Sequence, residues 1–185
     1  VATLIVVMSV MNGFRTELVD RILGINGHLI VYNNKDLEIS NFNEVTKKIL
    51  DTENVVAVTP HLEGQALAKT KSTVSGVIVR GTNWSDLPAK KLLWQSLDQT
   101  SISNFKDKKS IILGYRLAQR LNVNIGDYIS LISPNGMETV LGILPVKKNF
   151  IIGGFFDIGM YEYDNNFIFI PWEKAEEFLS TKDIA

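Results

Sequence analysis

The chain has 185 residues, of which 45% are apolar and 21% charged, and a net charge of -1. That length accommodates one domain or two small lobes around a real hydrophobic core, and the composition excludes a disordered tail. There is no basic surplus to neutralise phosphates, which argues against nucleic acid as a partner. The lack of cysteine excludes disulfides, thiolate metal sites and cysteine nucleophiles.

In chain order, Val1 to Met11 is an uncharged apolar run that starts without methionine. As a helix it would cover about 16 Å, roughly half of a bilayer core. It leads without a break into an amphipathic stretch, Asn12 to Ile25. Met11, Phe14, Leu18, Ile22 and Ile25 recur at steps of three and four, while Arg15, Glu17, Asp20 and Arg21 occupy other faces. The expectation is the outer end of a transmembrane helix continuing as a stalk, with Gly24 and Gly27 as stop signals. A buried core helix and the apolar part of a signal peptide are the alternatives.

His28 to Tyr32 reads as a strand. Asn41 with Glu44 suits a capping box, ahead of a helical stripe of Phe42, Val45 and Ile49. Val55 to Val58 and Gly64 to Lys69 read as strands, which completes a strand–helix–strand unit. Val74 to Gly81 is a further strand. Thr82 to Lys109 reads as polar and irregular, anchored by Trp84, Leu87, Leu92, Leu93, Trp94 and Leu97. Leu113, Leu117 and Leu121 mark a short helix. Gly126-Asp127 turns the chain into a strand over Tyr128 to Ser133, and Pro134-Asn135-Gly136 is a turn signal. Thr139 to Lys148 is the returning arm, followed by strands over Phe150 to Phe156 and Asn166 to Ile170. Pro171 suits the first position of a last helix, with Trp172, Ala175 and Leu179 inward. That second strand–helix unit lacks a closing strand, so the natural protein is expected to continue beyond both ends.

Familiar catalytic patterns do not occur. The sequence contains no G-x-x-x-x-G-K-[ST] phosphate loop, no H-E-x-x-H zinc pattern and no G-x-S-x-G elbow. Its histidines are His28 and His61, either of which could orient a serine in a secreted hydrolase, though both suit strand ends. Glu173, Glu176 and Glu177 read as a solvated helix face. The region Ser133 to Asp164 stands out instead. Its arms carry Met137, Val140, Leu141, Ile143, Leu144 and Val146 with few charges, and Gly142 and Pro145 interrupt the returning one. Proline cannot donate to a ladder, so this arm fits an edge or a protruding hairpin. An apolar hairpin beside Lys147 and Lys148 would be a docking element; a hairpin packed onto its own sheet is the plainer reading.

Several segments, in order, carry a family likeness: Ser9-Val10-Met11-Asn12-Gly13-Phe14, Gly64-Gln65-Ala66-Leu67, Gly76-Val77-Ile78-Val79-Arg80-Gly81, Ile112-Leu113-Gly114 with Leu117-Ala118, Gly126-Asp127, Ile132-Ser133-Pro134 with Gly136, and Phe155 through Asp164. The run Gly159-Met160-Tyr161-Glu162-Tyr163-Asp164, followed by Ile170-Pro171, is particularly close. Together they resemble the first extracytoplasmic domain of lipoprotein-releasing transporter permeases of the LolC/LolE type, over essentially the whole chain.

The resemblance implies an α+β fold of the mechanotransmission class of ABC transporters, in which four transmembrane helices carry a periplasmic domain between the first and second. It implies a membrane-helix end and stalk over 1–26, a Porter-like lobe of strand–helix–strand units over 27–72 and 150–185, and an inserted, mostly β, Sabre-like lobe over 73–149. Such permeases sit in the bacterial inner membrane. They pass mature lipoproteins to the periplasmic chaperone LolA, while a separate LolD-type subunit hydrolyses ATP. No cofactor is then expected in this chain. Its partners would be that ATPase, a second permease copy or a LolC/LolE-type partner, LolA and lipoprotein.

In LolC-type members a hairpin hook grips the chaperone, with a polar pad nearby. The hook maps onto Pro134, Asn135, Gly136, Met137, Val140, Leu141, Ile143, Leu144 and Pro145, and the pad onto Lys147 and Lys148. Relatives often carry Thr-Pro-Phe-Gly in the returning arm, where this chain has Thr139-Val140-Leu141-Gly142. LolE-type members hold lipoprotein instead, and some bacteria use one permease for both tasks. MacB-like export permeases and FtsX-like regulators of cell-wall hydrolases are relatives with other cargo, not expected to carry the hook.

Overall fold

The computed structural model describes residues 1–31, 42–60, 62–108, 110–139 and 142–179. Helix α1 (Ala2–Asn26) is a single unbroken α-helix of 25 residues, about 37 Å long. Residues 1–20 are exposed throughout. Among the described residues this is the one helix long and apolar enough, by length and composition, to cross a membrane. Gly27, at φ 73°, ends it.

Helix α2 (Phe42–Leu50) follows, and its expected stripe of Phe42, Val45 and Ile49 is half-buried. The strands expected on either side do not form: residues 28–31 and 55–58 are irregular, Tyr32 lies outside the described residues, and Val56 is 96% exposed.

The reason lies in the sheet. Strands β1 (Leu62–Lys69), β2 (Val74–Thr82), β3 (Ser110–Gly114), β4 (Tyr128–Thr139), β5 (Gly142–Phe156) and β6 (Phe167–Pro171) close a barrel in the order β1-β2-β6-β3-β5-β4. A closed barrel has no edge to offer a further strand. Pairing is antiparallel for β1/β2, β1/β4, β4/β5 and β3/β6, and parallel for β2/β6 and β3/β5. The fold is thus α+β, and β5 runs unbroken through residue 149.

Alternation along each strand separates two cores. Ala66, Ala68, Val77, Val79, Ile111, Leu113, Ile129, Leu131, Ile152, Ile168 and Ile170 form one, joined by Leu117 and Leu121 of α5 (Tyr115–Leu121) and by Ala175 and Phe178 of α7 (Trp172–Leu179). The other faces of β3 and β6 present Ile112, Phe167 and Phe169 to a second core. There they meet Leu87 of a 3₁₀ turn (Trp84–Ala89), Leu93 of α3 (Lys91–Ser96), Phe105 of α4 (Gln99–Lys106) and Ile25 of α1. Burial on both faces explains why β3 and β6 read as continuous apolar runs.

The stretch read as irregular, Thr82 to Lys109, is largely helical over its described residues 82–108, and its expected anchors Leu87, Leu93 and Leu97 are buried. Leu113 belongs to β3, and only Leu117 and Leu121 lie on the helix after it. Pro171 ends β6 one residue before α7 instead of opening that helix. Pro134-Asn135-Gly136 does not turn the chain: β4 continues to Thr139, and the turn chemistry is absorbed as a register shift between Ser133 and Met137. A helix that the sequence reading lacks, α6 (Tyr161–Asn166), links β5 to β6.

Candidate functional site: a helix joint and a two-stranded ribbon

Two features stand outside the ordinary packing of the barrel. The first is the junction at which α1 meets it. Gly24 lets the helix lie against α3, since a Cβ there would fall 2.9 Å from Leu92 Cδ1. Ile25 is 2% exposed in the second core. Arg21 Nη1 donates to the carbonyls of Ile158 and Gly159 at 3.3 and 3.4 Å. Gly159 has φ 72°, and a Cβ on it would sit 2.6 Å from Arg21 Nη1. The positive φ calls for glycine there.

The last residue of α1, Asn26, is shared between two partners. Its amide nitrogen donates to the Tyr163 hydroxyl, and its carbonyl oxygen accepts from Arg80 Nη1 at 3.1 Å. Arg80 is 6% exposed on β2. Its Nε and Nη2 donate to one oxygen of Glu63 at 2.8 and 2.5 Å, and its guanidinium lies 5.0 Å from the centre of the Phe167 ring. Tyr163 stacks on that ring at 4.6 Å. A buried guanidinium needs such partners; removing one leaves a charge stranded at a cost of about 3–5 kcal/mol.

A second cation sits close by. Lys90, 5% exposed, ends the 3₁₀ turn and opens α3. Burial, then repulsion from Arg80, lowers its pKa to about 8, against attraction from Asp86. Asp164, fully buried on α6, accepts from Ile158 N–H at 2.9 Å, while its other oxygen has no partner among the described residues. Burial pushes its pKa up against that hydrogen bond, with Asp157 adding to the rise. Asp164 thereby shapes the turn that Arg21 grips.

The second feature is the far end of β4 and β5. β4 pairs with β1 only over Ser130 to Ile132, and β5 pairs with β3 only from Ile151 onward. Beyond these, the two strands pair with each other, through Met137↔Leu144 and on to Thr139↔Gly142. The region expected to be a hairpin is one, a ribbon with no third strand among the described residues. Pro134 and Pro145 are exposed at its base. The backbones of Asn135, Gly136, Met137, Ile143 and Leu144 lie in its arms, and Val140 and Leu141 fall outside the described residues. Lys147 is exposed, whereas Lys148 is tied to α7: its ammonium lies 2.6 Å from Glu177 Oε1 and 3.4 Å from the Glu177 carbonyl. Glu173 pairs with Lys108. His28 is exposed after α1, and His61 falls outside the described residues.

Sequence reasoning missed Arg80, Glu63, Asn26, Tyr163 and Lys90 as a group. A signal existed: Arg80 is the one charged residue in its strand, directly after the apolar run Val77-Ile78-Val79, and a charge there has to find a partner.

A long exposed helix seated on a closed α+β barrel that extends one ribbon defines a class. The family model of the MacB-like periplasmic core domain matches residues 1–184, and the chain belongs to that family. Within it, the chain resembles the LolC/LolE type. It is 31% identical to the lipoprotein-releasing system transmembrane protein LolC of Neisseria meningitidis serogroup B, over 90% of this chain and 40% of that protein. The LolC of Xylella fastidiosa is 24% identical over 97% of this chain and 43% of its own length. The LolE of Haemophilus influenzae is 25% identical, with 97% and 44% covered. The chain thus spans about two fifths of the curated relatives it matches. Among solved structures, the extracellular domain of a noncanonic ABC-type transporter, YknZ, from Gram-positive bacteria shares the fold. Its TM-score is 0.50 at 13% identity, with 75% of this chain and 66% of that one covered.

Proposed function

We propose that this chain is the periplasmic part, with the end of its anchoring helix, of an inner-membrane permease that releases lipoproteins to a LolA-type chaperone. The permease does no chemistry of its own. A separate LolD-type ATPase hydrolyses ATP on the cytosolic side, and a second permease subunit completes the assembly. Energy is needed because each buried CH₂ of a lipoprotein's acyl chains holds it in the membrane by about 0.8 kcal/mol. Helix α1 relays the ATPase stroke to the barrel, and the ribbon over 134–146 holds the chaperone where the chains emerge, with Lys147 beside it. The observation that carries this reading is the pairing, on one barrel, of an apolar helix exposed over residues 1–20 with a ribbon that no third strand covers among the described residues. A permease for other cargo would need the helix and the barrel but not the ribbon.

The test replaces Val140, Leu141 and Leu144 with Asp in the full-length permease. Capture of the purified chaperone should fall at least tenfold, while basal ATP hydrolysis by the assembled transporter stays within twofold. Capture at the unmodified level removes the hook.

A further inference from the structure

We infer that the junction of α1 with the barrel is a weld and not a hinge, and that Arg80 is the residue that positions it. The inference rests on the proposed relay of motion through α1. Four separate elements hold the last two turns of the helix. α3 packs on Gly24, the 158–159 turn accepts Arg21, α6 supplies Tyr163, and β2 supplies Arg80. Arg80 joins them, because it binds Asn26, Glu63 on β1 and the Phe167 face on β6 together.

Geometry decides between weld and hinge. With a pivot at Ile25, Arg21 lies about 6 Å away along the helix, so a 10° tilt displaces it by about 1 Å. A tilt away from the 158–159 turn would lose its bonds to the Ile158 and Gly159 carbonyls, already 3.3 and 3.4 Å. The same tilt moves Ala2, about 35 Å away, by about 6 Å. A displacement of that size at the membrane end must either break the junction or turn the barrel with the helix. Breaking is the unfavourable course, because it would take from the buried Arg80 Nη1 its acceptor on Asn26.

Gly24 provides the test. A Cβ there would lie 3.9 Å from Leu92 Cβ, within the disulfide spacing of roughly 3.5–4.5 Å, and the chain has no cysteine of its own. In the full-length reconstituted transporter, the pair Gly24→Cys/Leu92→Cys is oxidised, and lipoprotein release is compared before and after reduction. A weld keeps the two rates within twofold. A tenfold loss on oxidation that reductant restores overturns it, since α1 must then slide on α3.

A second arm needs no cargo. Spin labels at Thr16→Cys and Gln65→Cys should give the same distance, within about 2 Å, in the nucleotide-free and ATP-trapped states; a shift beyond about 5 Å overturns the weld. If the unmodified transporter released no lipoprotein, the proposed function would fall and the label distance would still decide the junction. For Arg80, Arg80→Met should raise the ATP consumed per lipoprotein released at least fivefold, with the ATPase rate within twofold, and Arg80→Lys should recover part of the coupling. An unchanged ratio overturns the positioning role. Asn26→Ala, which leaves the Arg80–Glu63 pair intact, gives the same reading should Arg80→Met fail to fold.

Discussion

Lys90 is a buried cation with a measurable energetic signature. Its pKa falls from 10.5 to about 8, because burial and the neighbouring Arg80 disfavour the ammonium. For a base whose folded pKa is depressed, the contribution to stability is complete above the unfolded pKa and is lost as pH falls through the folded one. The window is therefore 10.5 down to about 8. Below it, at 1.36 kcal/mol per pKa unit, the folded state carries a penalty of about 3 kcal/mol; at pH 9.5 about 1 kcal/mol is left. Methionine keeps most of the stem and removes the charge. Lys90→Met should therefore stabilise the chain at pH 7, by up to about 3 kcal/mol, and the gain should shrink by about 2 kcal/mol at pH 9.5. Urea unfolding of the chain in detergent, at both pH values and with m unchanged, reads this directly. Comparing variant with parent cancels other groups that titrate in that range. A variant less stable at pH 7, or a gain that does not change with pH, would refute the reasoning and show that Asp86 neutralises the ammonium more fully than its burial penalises it.

Two further outcomes arise from close approaches and buried groups. A Cβ on Gly114 would run into the backbone of α6, 2.6 Å from the Asp164 carbonyl carbon; backbone cannot rotate away, so Gly114→Ala should cost about 3 kcal/mol. At about 2–4 °C per kcal/mol for a chain of this size, the melting temperature should fall by roughly 10 °C by circular dichroism, and a fall under about 2 °C refutes the collision. Asp164 has a raised pKa, so its share of stability is present below 3.8 and is lost as pH rises through the folded value. Asp164→Asn keeps the acceptor for Ile158 N–H and should gain on the parent as pH rises above 3.8 in urea unfolding. Asp164→Ala, which strands that N–H, should lose about 1–3 kcal/mol, and an Asn-minus-parent difference flat across pH refutes the assignment.

The elements legible in the sequence were those whose period ran long enough to be distinctive. The apolar-to-amphipathic run predicts α1, and the strands read over 64–69 and 74–81 fall within β1 and β2. The short helices of 84–106 were not legible, since one or two turns seldom establish a 3.6 period. Leu113, Leu117 and Leu121 misled for a related reason: a spacing of four spans the end of a strand and the helix directly after it. Residues 28–31 and 55–58 have strand-like composition, but pairing depends on a free edge, and barrel closure removes it. The ribbon was legible from Pro145 and its apolar arms, although the position of its reversal was not. At the junction, Arg80 finds Glu63 and Asn26 at 17 and 54 residues' separation. Local pattern shows the charge in the strand but not the partner.

On the proposed relay, a rotation of α1 would reach the ribbon through the barrel wall. From Arg80 there are two routes around the wall. One passes through β1, whose Leu67, Ala68 and Lys69 pair with Ile132, Leu131 and Ser130 on β4. The other crosses the parallel ladder to β6, then β3, and reaches β5 at Ile151 to Phe156. Both arms of the ribbon are thus continuations of wall strands, one fed by each route. In an open sheet a strand could shear against one neighbour; in a closed one it must break ladders on both sides. The wall should therefore turn as one body. The place in the ribbon where the ladder is already interrupted lies between Ser133 and Met137, where a bulged strand bends and re-aims the residues beyond it. A chaperone held by the ribbon would then be turned with the barrel, and any adjustment of fit would arise at that bulge and not at the helix.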